Sequence, residues 1–263
     1  MKTLFFISIL IYAHAMGLQF AATAFRKDKL AKGAWVLFLA AFLVHTVFLV
    51  ARGIAAGRLP LSNQFEFSCA FAWGIGLMLI FVKRRLHADW LTVAALPMLL
   101  VVMSYAALQP MEINELMPAL RSAWFGIHIG SAVFSYSAFV LAGCVGMRYI
   151  SMSKKNLDDN RLKLDQMDYL GYRLVAFGFL FLTVVLLSGA VWAEQAWSAF
   201  WTWDPKEVWA LITWIIYAVY LHMRLRNKRN KTFMAWYLII AVPVVFFTFA
   251  GVNTLLPGLH SYG

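Results

Sequence analysis

Long apolar runs separated by short polar connections constrain this chain more than any other feature. Eight can be read, over residues 3–24, 34–50, 65–82, 90–108, 123–150, 174–192, 208–223 and 233–252. A bilayer core about 30 Å thick needs roughly 20 apolar residues per helix, and tilt accommodates the variation in length. The composition agrees, with 62% hydrophobic and 13% charged residues, where a soluble domain carries about a quarter charged. The sequence predicts an all-α polytopic membrane protein with eight transmembrane helices, forming a single integral membrane domain over residues 1–263. Lys2 followed by an apolar run and Ala13-His14-Ala15 imitate a cleavable signal peptide; we read the run as the first span.

The net charge of +11 could suggest nucleic acid, but the basic residues are confined to a few connections. Arg26, Lys27, Lys29 and Lys32 follow the first run; Lys83, Arg84 and Arg85 follow the third. Arg148, Lys154, Lys155, Arg161, Lys163 and Arg173 surround the connection after the fifth, and Arg224, Arg226, Lys228, Arg229 and Lys231 follow the seventh. Of the 23 basic residues only Lys2, Arg52, Arg58, Arg121 and Lys206 fall on the other side. The basic side is predicted to be cytoplasmic, which makes both termini extracytoplasmic. Residues 158–174 have apolar positions spaced among charges, as in a helix lying along the inner interface or a solvated linker. Cys69 and Cys144 form no CxxC, zinc or CxxCH pattern.

Between the sixth and seventh runs, on the side predicted to be external, lies the segment 192–209, WAEQAWSAFWTWDPKEVW. It holds Trp192, Trp197, Trp201, Trp203 and Trp209, five of the chain's 11 tryptophans. An interfacial aromatic belt explains two or three of them. It does not require Asp204, Lys206 and Glu207 at the same place. Flat aromatic faces beside polar groups suit a large planar ligand, mostly apolar with a few charged substituents, and a porphyrin fits that description.

Iron in a porphyrin needs axial ligands, and histidine is rare on a membrane helix unless functional. His128 lies four residues after Trp124, about 6 Å of helical rise, near the external end of its span. His260 lies in the tail at residues 253–263. These two could ligate one iron from opposite faces, or be a packed helix histidine and an ordinary tail residue. His222 stands fifteen residues beyond Glu207, about 22 Å along a straight helix, so any ligand it holds occupies a second site. His14 and His45 lie mid-span, where a bond to a neighbouring carbonyl is the simpler reading. His87 belongs to a basic inner connection.

Three motifs carry a family resemblance. The segment WAEQAWSAFWTWDPKEVWALITW resembles the tryptophan-rich WWD signature of haem-handling proteins that include CcsA/ResC, CcmC and CcmF. The ending Gly258-Leu-His260-Ser-Tyr-Gly263 resembles the GLHSYG tail of the CcsA/ResC group, and residues 60–66 resemble its PLSN-x-x-E segment. The similarity runs from about Leu49 to Gly263, while the first two spans offer no matching motif. The resemblance implies an external haem platform made of Trp192, Trp197, Trp201, Trp203, Asp204, Lys206, Glu207 and Trp209. It implies His128 and His260 as external axial ligands of the haem iron. His222 would be half of a transmembrane site, completed by a CcsB/ResB-type subunit.

The cofactor implied is haem b, held non-covalently and transiently. The activity implied is c-type cytochrome maturation as a subunit of a holocytochrome c synthase, with apocytochrome c and a thioredoxin-like thiol reductant as further partners. The setting would be a bacterial inner membrane or a plastid thylakoid membrane, with the WWD segment on the extracytoplasmic or lumenal side. Two other readings stand beside this one: a HemX-like haem-binding regulator, and a non-haem solute transporter using histidines as proton relays.

Overall fold

The computed structural model describes residues 1–86, 88–154, 157–226 and 230–256, and every regular element among them is helical. In chain order they are α1 (Lys2–Phe25), α2 (Asp28–Ala56), α3 (Gln64–Leu86), α4 (Thr92–Ala107), α5 (Ala123–Ser153), α6 (Leu157–Trp197), α7 (Pro205–Arg226) and α8 (Lys231–Phe246). A π-helical turn (Phe247–Gly251) then leads into the short α9 (Val252–Leu255). Among the described residues, seven helical stretches are long and apolar enough to cross a membrane: α1, α2, α3, α5, α6, α7 and the continuous run Lys231–Leu255. The stretch expected over 90–108 is shorter, because a 3₁₀ turn (Asp89–Leu91) takes its first residues, leaving α4 with 16.

The chain divides into two compact units, Met1–Glu115 and Leu116–Gly263. In the first, α1 packs on α2 and α4, and α3 packs on α4. The buried positions of α2 are Ala34, Phe38, Ala41, His45, Phe48 and Arg52, steps of three and four that place them on one stripe. The opposite side is apolar too: Val36, Leu43 and Val50 are exposed, which suits a helix whose solvent is lipid. α1 stops where Arg26 adopts a left-handed conformation (φ 52), and Lys27 is already the N-cap of α2.

A buried ionic knot joins the ends of α2 and α3. Glu66 is fully buried and accepts from Arg52 Nε (2.9 Å), Arg58 Nη1 (2.8 Å), Ser62 N (2.9 Å) and Ser62 Oγ (3.0 Å). Arg52 also donates to the carbonyls of Met111 and Glu112, at 2.8 and 3.0 Å. A buried charge requires such pairing. Glu66 of the PLSN-x-x-E segment is therefore the clasp that fixes the α2–α3 turn, and Arg52 ties the backbone at 111–112 to it.

In the second unit α5 is the central helix, buried almost continuously from Ser131 to Gly146 and packed against α6 and α8. At Gly146 a Cβ would stand 2.6 Å from the Ala235 carbonyl, so the missing side chain lets α8 approach, as small residues do between membrane helices. α6 has 41 residues, about 60 Å of helix, roughly twice the hydrocarbon thickness. Its beginning takes the place of the interfacial helix or linker expected over 158–174. Leu164, Met167, Leu170 and Leu174 are buried in protein there. Asp168 pairs with Arg224 of α7, and Asp165 meets Lys231 of α8 at 2.7 Å.

Candidate functional site

The tryptophan-rich segment is two helix ends and a short link. Trp192 and Trp197 belong to the end of α6, Trp201 and Trp203 to the connection 198–204, and Trp209 to the start of α7. The start of α7 explains the acids. Asp204 Oδ1 accepts from the Lys206 amide (2.9 Å), while Glu207 reaches back to accept from the amides of Asp204 (3.2 Å) and Thr202 (2.8 Å). With Pro205 as the first helical residue, this is a capping box that engages otherwise orphaned donors. Both carboxylates thus work on the backbone. Lys206 Nζ donates to Asn253 Oδ1 (2.7 Å), joining the start of α7 to α9.

The link between the helices is strained. Ser198 and Trp203 have φ of 57° and 59°, a region that disfavours side chains by roughly 1–2 kcal/mol per residue. The capping box holds Trp203 there, since its neighbours Thr202 and Asp204 both donate to Glu207. The rings fall into two groups. Trp192 is 1% exposed and Trp197 is partly buried, whereas Trp203 is 70% exposed and Phe200 60%. Trp201 stands edge-on to Trp203 at 5.9 Å, and Trp209 packs on Phe247 at 4.3 Å.

His128 joins the inner group. Its ring lies 6.0 Å from that of Trp192 at 24°. Trp192 is pinned in turn by Nε1 donating to the Ala119 carbonyl (2.7 Å) and by packing with Leu120, Phe125 and Trp197. His128 Nδ1 is 2.9 Å from the Val185 carbonyl. A carbonyl only accepts, so Nδ1 carries the proton, and in the neutral form of the ring the lone pair is on Nε2, the nitrogen able to bind a metal. Trp197 Nε1 is a buried donor with no partner among the described residues. A fixed imidazole stacked on one indole, a second indole edge-on to that one and an unspent donor fit haem, whose iron needs a nitrogen and whose edge carries carboxylates.

The other predicted residues fall elsewhere. His222 is exposed near the far end of α7, two residues before the Arg224–Asp168 pair. α5, α6 and α7 alternate in direction, so His128 and His222 occupy opposite ends of the second unit. His260 lies outside the described residues, as does His87. His14 is exposed with Nδ1 2.7 Å from the Leu10 carbonyl, the local bond expected of it. His45 departs from that expectation. Its fully buried ring lies edge-on to Tyr12 at 6.0 Å, and neither nitrogen has a hydrogen bond of normal geometry among the described residues. Three groups escape sequence reasoning: the Ala119 and Val185 carbonyls and Gly189. Backbone acceptors carry no residue signature, and the only clue to Gly189 is a glycine one helical turn before Trp192.

A helical integral membrane protein with a histidine and a cluster of tryptophans at one end of its second unit is the class so defined. Residues 61–260 match the profile of the cytochrome c assembly proteins, and the chain belongs to that family, in its CcsA type. It is 34% identical to the cytochrome c biogenesis protein CcsA of Prochlorococcus marinus (strain MIT 9313), over 87% of this chain and 83% of that one. It is 32% identical to the CcsA protein of Guillardia theta, over 85% and 83% of the two chains. Among solved structures, the cytochrome c haem lyase CcmF superposes with a TM-score of 0.73 at 13% identity, over 94% of this chain. That likeness concerns the fold alone, and the chain spans 46% of CcmF.

Proposed function

We propose that this chain carries haem from the cytoplasmic side to the opposite side of its membrane and holds it there for attachment to apocytochrome c. In this reading the chain crosses the bilayer eight times with both termini extracytoplasmic, as the distribution of basic residues favours. His128 and His260 supply the two axial nitrogens of the external site. Trp192, Trp197, Trp201, Trp203 and Trp209 flank the macrocycle. Asp204, Lys206 and Glu207 hold the α7 start that carries Trp209. His222 serves a separate inner site, completed by a histidine of a CcsB/ResB-type partner; its exposure on α7 suits a ligand shared with another subunit.

Haem b supplies the vinyl groups to which the two thiols of a CxxCH segment add as thioethers, a chemistry that belongs to haem and thiol. This chain binds, orients and shields. The observation that carries the reading is the His128 ring, fixed through Nδ1 on Val185 and lying beside Trp192. The test is the absorption spectrum of the chain purified with its partner from haem-replete cells. A bis-histidine spectrum is expected, reduced in His128→Ala and in His260→Ala. Colourless wild-type protein sinks the reading, and an unchanged spectrum in both variants refutes the ligand assignment.

A further inference from the structure

The His128 imidazole occupies the space where residue 189 would carry a side chain. A Cβ built on Gly189 would stand 2.7 Å from Nδ1 and 2.8 Å from Cε1, nearer than packed carbon atoms come. Gly189 lies one turn beyond Val185 on α6, so the carbonyl that Nδ1 reaches is the one directed toward the Gly189 amide. A side chain at 189 would cover that carbonyl and expel the ring. The next turn of α6 brings Trp192 to the face of the same imidazole. Three positions on one face of α6, 185, 189 and 192, thus set the ring's depth, rotation and tilt.

We propose that Gly189, acting with the Val185 carbonyl, is the positioning residue that fixes the tautomer and orientation of His128 and so presents Nε2 as the ligating nitrogen. The role in ligation rests on the haem reading above; the seating of the ring does not. A ligand histidine whose other nitrogen donates to a carbonyl is held in place and made more basic, and loss of such a contact lowers metal affinity about 10- to 100-fold. Gly189→Ala should therefore lower haem occupancy about 10-fold or more and move the remaining haem to a higher reduction potential. Gly17→Ala, at a helical glycine where a Cβ meets nothing within 4 Å, should change neither.

Two measurements on the haem-free full chain decide the seating by itself. In ¹⁵N-histidine-labelled protein, with the His128 signal assigned by its loss in His128→Asn, wild type should show Nδ1 protonated. Gly189→Ala should shift the signal toward the Nε2-protonated form. In a double-mutant cycle on thermal stability, Gly189→Ala should destabilise the wild type but not His128→Ala, where the space is vacant. A His128 signal that keeps Nδ1 protonated in Gly189→Ala, or equal destabilisation in both backgrounds, overturns the proposal. A colourless wild type with the expected tautomer shift would reject haem at this site while upholding the seating.

Discussion

Four donors converge on the Glu66 carboxylate, and none of that residue is left exposed. At the tryptophan end of the second unit the Asp204 and Glu207 carboxylates accept from backbone amides, yet Phe200 and Trp203 stand mostly uncovered beside them. Both regions hold charge at the ends of apolar helices, but one closes on itself and the other supports an aromatic rim that stays exposed among the described residues. A closed knot fixes a turn. A rim of large rings on a strained link leaves flat apolar faces exposed, and it is there that the haem proposed above would rest.

That contrast can be broken experimentally, most forcefully at the knot. Glu66→Ala leaves the buried Arg52 and the partly buried Arg58 guanidinium without their carboxylate, and breaking a buried pair costs about 3–5 kcal/mol. Thermal unfolding in detergent should show the largest loss of any single variant considered; a shift no bigger than that of a surface variant would mean the knot does not anchor the turn. Asp204→Ala comes next, removing an N-cap for about 0.5–2 kcal/mol, and Glu207→Gln should be milder because an amide oxygen still accepts. Lys231→Ala removes a half-exposed pair with Asp165, worth about 0.2–1 kcal/mol and screened by salt, so its effect should fade at high ionic strength. Trp203→Ala should be the smallest in stability, within about 0.5 kcal/mol. The same variant should lower haem retention, read from absorbance per mole of purified protein. A large stability loss there would make the rim a packing element.

The spans were legible because hydropathy is a local property: eight apolar runs were visible, and seven appear as long apolar helices. α4 came out short because Asp89–Leu91 turns more tightly than a helix, which hydropathy does not report. The extension of α6 was half legible. The spacing of Leu164, Met167 and Leu170 fitted an interfacial helix or a solvated linker, and did not tell that protein would cover these side chains. At the site, residue type pointed to Trp192 and His128 but left the duties of Asp204 and Glu207 ambiguous. An acid beside tryptophans looks like a ligand contact until the geometry shows which amides it faces. Gly189 and the Ala119 carbonyl were out of reach, since one acts by lacking a side chain and the other through the main chain.

The turn at Arg26 and Lys27 has a consequence for biosynthesis. With Arg26 left-handed and Lys27 already capping α2, no slack chain separates the two helices. The native packing of α1 is complete only once α2 lies beside it. A pair joined this closely is expected to enter as one hairpin with the basic turn at its tip. Lengthening that turn with a flexible Gly/Ser insert would let the two helices be released separately, and nascent-chain crosslinking would detect the lost coincidence.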